Sequence, residues 1–270
     1  FKQKTAYEML RSLVGSEMCI RDRSGFQKVI REYPRRPAGL SALYWAGVSC
    51  SRLDRRGEAL EYLLRCLESS PPGGLAKSAE EELRSVLQRA GASPRGEGEI
   101  EDLLKRLESS RLSAALKDQA RFEYARWLFT RDRDKALALL LRLKDGGLTE
   151  PLVDEAALLI GEAYRLRGEL VRSLGVFAGL ASSRSDGVAA RAQLGIARIR
   201  EQQGRGEEAA EEYLKIFFLY PEAKEQAQEG LYQAGRLYWD AGRKEEARKL
   251  FARLAERYPD SPWRSKLPQH

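Results

Sequence analysis

Acid–base, nucleophilic and metal chemistry each need particular side chains brought together, and this chain is poor in them. Its single histidine, His270, is the final residue. A serine or cysteine nucleophile therefore lacks the usual imidazole base, and no histidine cluster is available to a metal ion. Carboxylates are plentiful, as in Glu80-Glu81-Glu82, but they lie in polar helical stretches with no pocket pattern beside them and read as solvated charges. Gly204-Arg205-Gly206 follows no strand, so it does not fit a phosphate-cradling loop. Cys50 and Cys66 are too far apart for a zinc motif. Two buried thiols, or a disulfide in an oxidising compartment, are the readings they allow. The residues thus point away from an enzyme, and no cofactor or metal is expected.

What remains is binding chemistry, and it depends on the elements that present it. The formal net charge is +7 and charged residues make up 32% of the chain. The signs alternate along most segments, as in Glu245, Glu246, Arg248 and Lys249, which marks solvated helix faces and disfavours a dedicated nucleic-acid surface. No apolar run reaches the ~18–20 residues that a transmembrane helix needs.

Residues 1–23 stand apart from the rest. Lys2 to Met9 reads as the translation of a sequencing-library adapter, AAG CAG AAG ACG GCA TAC GAG AT. In the same frame Leu13 to Asp22 reads as a transposase-type adapter tail. Both methionines, Met9 and Met18, lie in this stretch. The expectation is a non-native leader over 1–23, with the natural N-terminus missing.

From Ser24 onward one pattern recurs. In its clearest copy Leu231, Gly235 and Tyr238 share a helix face, and Ala247, Leu250, Phe251, Leu254 and Tyr258 share a second. Asp240-Ala241-Gly242 breaks the chain between the two faces, and Pro259 closes the unit. Gly235 and Ala247 remove bulk so that the helices approach closely, and Phe251 fills the space beside them. Gly47, Ala59, Leu63, Cys66 and Pro71 keep the same offsets. Gly161, Tyr164, Gly168, Ser173 and Phe177 form another copy; Gly195, Gly204, Ala209, Tyr213 and Pro221 a third, with about two extra residues in its first helix. Tyr124, Trp127, Ala136 and Leu140 form a weaker copy, with tyrosine where a small residue belongs, and residues 75–111 keep only the period. Asp145-Gly146-Gly147 and Pro71-Pro72-Gly73-Gly74 read as inter-helix turns.

These spacings resemble the tetratricopeptide repeat family. The resemblance implies an all-α, right-handed superhelical solenoid of antiparallel helix pairs. The expected organisation is a partial repeat over 24–38, a solenoid of about six helix pairs over 39–263 with a possible break near 91–99, and a tail over 264–270. Three or more such units bury a continuous core.

The resemblance also implies a function: a non-catalytic scaffold that binds a protein or peptide segment in a concave groove lined by the first helices. Carrying the groove offsets onto this chain gives Tyr44 and Val48, Arg121 and Ala125, and Glu155, Leu158, Glu162 and Arg165. The last repeat supplies Glu229, Tyr232, Arg236, Trp239 and Asp240. Of these, Tyr44, Arg121, Glu162, Arg165, Tyr232, Arg236 and Trp239 are the partner-binding candidates, aromatic and arginine side chains being the common interface anchors. The groove lacks the lysine–asparagine–arginine set with which some relatives clamp a C-terminal carboxylate. The net positive charge points to a partner carrying some acidic residues. The unit endings Phe217-Phe218-Leu219-Tyr220-Pro221 and Glu256 to Pro262 resemble those of bacterial cell-envelope members, including periplasmic ones. Two alternatives are the helical solenoid of a larger enzyme, such as a lytic transglycosylase with its catalytic domain elsewhere, and repeat-based RNA binding. The latter calls for a regular polar pair in each first helix, and these positions vary from Tyr to Leu to Arg.

Overall fold

The computed structural model describes residues 19–34, 36–91, 104–109, 113–148, 150, 152–183 and 186–267. Among these residues the regular structure is helical throughout. The chain divides into two compact units, Phe1–Leu139 and Leu140–His270.

The first unit holds α1 (Cys19–Glu32), α2 (Pro37–Arg52), α3 (Arg56–Glu68), α4 (Gly73–Gly91) and α5 (Ala114–Phe129), with a short helical stretch at 104–109. α6 (Arg133–Asp145) spans the division between the units. α1 packs on α2, α2 on α3, α3 on α4 and α4 on α5, and α2 also reaches α4. Pro37 opens α2, where its missing N–H would have had no partner in any case. Phe26, Val29 and Ile30 of α1 are buried with Leu43, Leu60, Leu63 and Leu83. α1 begins at Cys19, within the stretch expected to be leader; residues 1–18 lie outside the described residues, as does most of the expected break at 91–99.

One turn differs from its reading. Pro71-Pro72-Gly73-Gly74 was expected to be all turn, but Gly73 and Gly74 form the first turn of α4. The amides of Leu75 and Ala76 bond to the Pro72 carbonyl, so the proline, barred from the helix interior, supplies its first acceptor.

The second unit stacks α7 (Leu152–Leu166), α8 (Leu170–Ser183), α9 (Asp186–Gln202), α10 (Gly206–Leu219), α11 (Lys224–Asp240) and α12 (Lys244–Arg257), followed by a 3-10 turn, Pro262–Lys266. Each helix packs on the next, and the first helices of successive pairs also touch, α7 on α9 and α9 on α11. Acidic residues at the N-termini of α10 (Glu207, Glu208) and α12 (Glu245, Glu246) complement the helix dipole.

The same device ends four first helices. The amides of Arg55, Glu169, Arg205 and Arg243 bond to the carbonyls of Cys50, Tyr164, Arg200 and Tyr238, at 2.8 to 3.0 Å. This closure needs a left-handed residue just before the donor. Gly168, Gly204 and Gly242 supply it with φ of 79°, 75° and 79°; at the end of α2 Asp54 adopts it at 57°.

The close approach inside each pair follows one offset. A β-carbon on Gly47 would lie 2.7 Å from Leu63, and one on Gly161 2.7 Å from Phe177; Gly235 faces Phe251 in the same way. Gly195 departs from this rule, since it abuts Phe177 of the preceding pair rather than Tyr213 of its own.

Candidate partner-binding groove

In the second unit the first helices α7, α9 and α11 form one continuous side, and a cleft of about 290 Å³ opens along it. Its floor is made by Phe177, which rises from α8 between two glycines: Gly161 of α7 presses one edge of the ring and Gly195 of α9 the other. Leu158 and Leu194 extend this apolar floor, and Glu162, Arg191, Arg198 and Gln226 stand around it.

Ion pairs cross from one first helix to the next. Arg191 grips Glu155 of α7 through both terminal nitrogens, with Nη2 3.0 Å from Oε2. Arg165 holds Glu162 of its own helix bidentately at 2.8 and 2.7 Å and reaches the Gln202 side-chain Oε1 on α9 at 3.1 Å. Arg198 donates to Glu229 of α11 at 2.6 Å, and Arg236 of α11 donates back to Glu201 of α9. Glu201 also accepts the Tyr213 hydroxyl at 3.0 Å.

The electrostatics follow from these contacts. The bond to Glu162 holds the Arg165 guanidinium above its ordinary pKa against the opposing effect of burial. Burial works against the charge on Arg198, but the bond and attraction to Glu229 outweigh it. Burial and the neighbouring Glu201 push the Tyr213 phenol well above its ordinary value, so it stays a hydrogen-bond donor.

The expected site residues divide between the units. In the first, Tyr44 is half-buried on α2 with its ring edge-on to Trp45, centroids 5.1 Å apart. Burial, then Glu82 and Glu81, raise its pKa. Arg121 on α5 bonds to Glu108 at 3.1 Å and Asp118 at 3.2 Å. Val48 and Ala125 are buried and present nothing to a partner. Glu82, expected to be solvated, is half-buried and accepts from Ser51 at 2.5 Å and Arg89 at 3.4 Å.

In the second unit Glu162 and Arg165 are brought together at the cleft. Tyr232, Arg236 and Trp239 share one face of α11, each already engaged: Tyr232 stacks on Trp263 with centroids 4.8 Å apart. Trp239 tilts onto Phe251 at 6.5 Å beneath the ammonium of Lys244 and the guanidinium of Arg248. Arg236 bonds to Gln233 and Asp240 as well as Glu201. Arg191, Arg198 and Gln226 were not anticipated from the repeat offsets: Arg191 and Arg198 lie on α9, whose extra residues displace its register, and Gln226 lies one turn before the first groove offset carried onto α11.

Other chemistry is sparse. Among the described residues no group of three or more His, Cys, Asp or Glu is placed to hold a metal ion, and no helix is long and apolar enough to cross a membrane. Cys50 and Cys66 are buried and not disulfide-bonded. Burial pushes the Cys66 thiol up to about 11, and its sulfur lies 3.5 Å from the Leu40 carbonyl oxygen.

Stacked antiparallel helix pairs, closed by left-handed turns and packed through a small-residue and aromatic pair at fixed offset, define an all-α solenoid of the interaction-scaffold class. Three segments, 40–72, 180–224 and 229–261, match tetratricopeptide repeat profiles. The chain thus carries tetratricopeptide repeats in these three segments, and proteins built of such repeats are in general non-catalytic scaffolds that bind protein or peptide partners. Among solved structures, the human IFIT1 dimer with m7Gppp-AAAA matches 97% of this chain at 19% identity and a TM-score of 0.55. The chain spans 59% of the length of that protein. YrrB, a TPR protein with an unusual peptide-binding site, matches 88% of this chain and 94% of its own at 12% identity and a TM-score of 0.40. No curated protein matches by sequence.

Proposed function

We propose that the chain takes an extended segment of a protein partner along the first-helix side of its second unit, centred on the cleft between α7 and α9. The observation that carries this is the cleft itself: an apolar floor on Phe177, rimmed by hydrogen-bonding side chains from three successive first helices. Its volume, about 290 Å³, is at the lower edge of the ~300–1,000 Å³ of sites that enclose a drug-sized molecule, and suits one or two side chains of a longer ligand. A place in a bacterial cell envelope is part of the same proposal and rests on the endings Phe217 to Pro221 and Glu256 to Pro262.

A photo-crosslinking residue placed at position 159, beside the cleft, tests the reading against one at position 171. Val171 on α8 is 87% exposed and lies on a second helix. In an extract of the organism that encodes the chain, position 159 is expected to capture a partner protein that position 171 does not. Capture from 171 alone would place binding on the other side of the unit and refute the groove.

A further inference from the structure

The net charge of +7 directs attention to an acidic partner, but the cleft argues for a different one. Its arginines are already matched. Arg191 spends both terminal nitrogens on Glu155, and Arg198 bonds to Glu229. Glu162 in turn is filled by Arg165. Glu155 and Glu229 belong to the neighbouring first helices and Glu162 to the same helix as Arg165, so all three accompany the arginines in the free protein. An acidic segment could reach Arg191 or Arg198 only by displacing a carboxylate from it, and exchanging one half-exposed ion pair for another brings little net gain. A basic segment faces the same exchange at Glu155 and Glu162.

Two features are not matched in this way. Phe177, Leu158 and Leu194, each buried, line the bottom of the cleft and bring no charge to it. The Gln226 amide, half-buried at the edge, has no hydrogen-bond partner among the described residues. A peptide main chain offers both the acceptor and the donor that a carboxamide can use.

We infer that the cleft selects an uncharged, extended segment of a protein partner by one apolar side chain of leucine or phenylalanine size. That side chain rests on Phe177 between the Arg191–Glu155 and Arg198–Glu229 pairs, while Gln226 bonds to the main chain beside it. The paired charges act as a frame: they keep the rim hydrated and aligned, and they discriminate against charged side chains at the anchor position by leaving them no free counter-charge. This inference rests on the groove reading of the preceding section and adds the chemistry of the occupant.

The probe is a random-peptide display library panned on the full chain, with enriched peptides synthesised, labelled and titrated by fluorescence anisotropy. Hydrogen exchange locates each bound peptide. The expected result is a shared apolar residue in an uncharged setting, protection on α7, α9 and α11, and an affinity that changes less than about threefold between roughly 0.05 and 0.5 M salt. Replacing the apolar residue of the peptide by serine should weaken binding by about tenfold or more. This variant leaves the protein untouched. On the protein, Gln226→Trp, checked for folding by circular dichroism, should fill the cleft and weaken binding to a similar degree. Acidic peptides that protect the same helices and lose about tenfold or more with salt would overturn the uncharged-anchor inference and leave the groove reading standing. Protection confined to α8 and α10, or no enriched peptide, would overturn both.

Discussion

Phe177 occupies the space that a β-carbon on Gly195 would need: one built there would lie 2.5 Å from the ring edge. The contact crosses from one helix pair to the next, so it sets the spacing of α7 and α9 as well as the floor of the cleft. Gly195→Ala should therefore force the ring aside, at a cost of about 1–3 kcal/mol for overpacking. Pairing it with Phe177→Leu should recover part of that loss. Thermal melts of the two single variants and the double variant measure the coupling, and strict additivity would show that the two residues do not share the space.

The last repeat carries the same contact within one pair. Phe251 is 8% exposed and faces Gly235, and Ala247 is fully buried. Phe251→Ala should destabilise the chain by about 3–5 kcal/mol through loss of a large buried ring. Ala247→Leu should cost about 1–3 kcal/mol by overfilling the crossing. Denaturant titration reads both, and parent-like midpoints would mean that this register is not the one the fold uses.

Much of this was legible in the sequence because it is local and periodic. The offset of sixteen residues from Gly47 to Leu63, from Gly161 to Phe177 and from Gly235 to Phe251 places each pair on facing helices. The turn glycines at 168, 204 and 242 announce their left-handed backbone directly. The cleft was not legible. Its floor depends on Gly195 meeting a ring from the preceding pair, and its rim on Arg191 and Arg198, which the extra residues of α9 remove from the regular offsets. Nor does the period reveal that Trp263, beyond the last helix, stacks on Tyr232, or that groove arginines are matched by carboxylates on neighbouring helices. Side-chain pairing between repeats depends on three-dimensional stagger, which a one-dimensional offset does not contain.

Asp54 tests the turn rule where glycine is absent. Its φ of 57° is the left-handed region, which aspartate tolerates better than a β-branched residue. Its carboxylate accepts from Arg56 Nε at 2.8 Å. Asp54→Val should destabilise by about 1–2 kcal/mol. Asp54→Gly should shift stability by less than about 1 kcal/mol, since relief of backbone strain is offset by the greater freedom of the unfolded chain. Equal effects for the two variants in a melting experiment would contradict the turn assignment.

Cys66 gives a pH prediction. Its thiol is fully buried and raised from 9.0 to about 11 in the folded protein. A group whose folded pKa lies above its unfolded value favours folding while it stays protonated, so this contribution is intact below about pH 9 and is lost as the pH rises toward 11. Melting temperature should accordingly fall over that range, and Cys66→Ala should flatten the part of the fall due to this residue. Because the thiolate is the reactive form, iodoacetamide at neutral pH should modify Cys66 only in the unfolded chain, as peptide mass mapping would show. Rapid native labelling would mean that the site opens to solvent.

The α11 face joins folding and binding in one measurement. Arg236 bonds to Glu201 across to α9, but the two side chains are 35% and 33% exposed, so removing the pair should cost at most about 1 kcal/mol. Glu201 would retain the Tyr213 hydroxyl as a donor. Trp239 is half-buried against Phe251, and its truncation should cost about 1–3 kcal/mol of lost apolar contact, short of a full core cavity. The Arg236→Ala, Trp239→Ala double variant should therefore remain helical with a lowered melting temperature. If the partner lies along the first helices as far as α11, the protein captured by a crosslinker at position 159 should be recovered in smaller amount from the double variant. An unfolded double variant would make Trp239 a core residue and remove it from the groove. A folded one with capture unchanged would confine the partner to the cleft between α7 and α9.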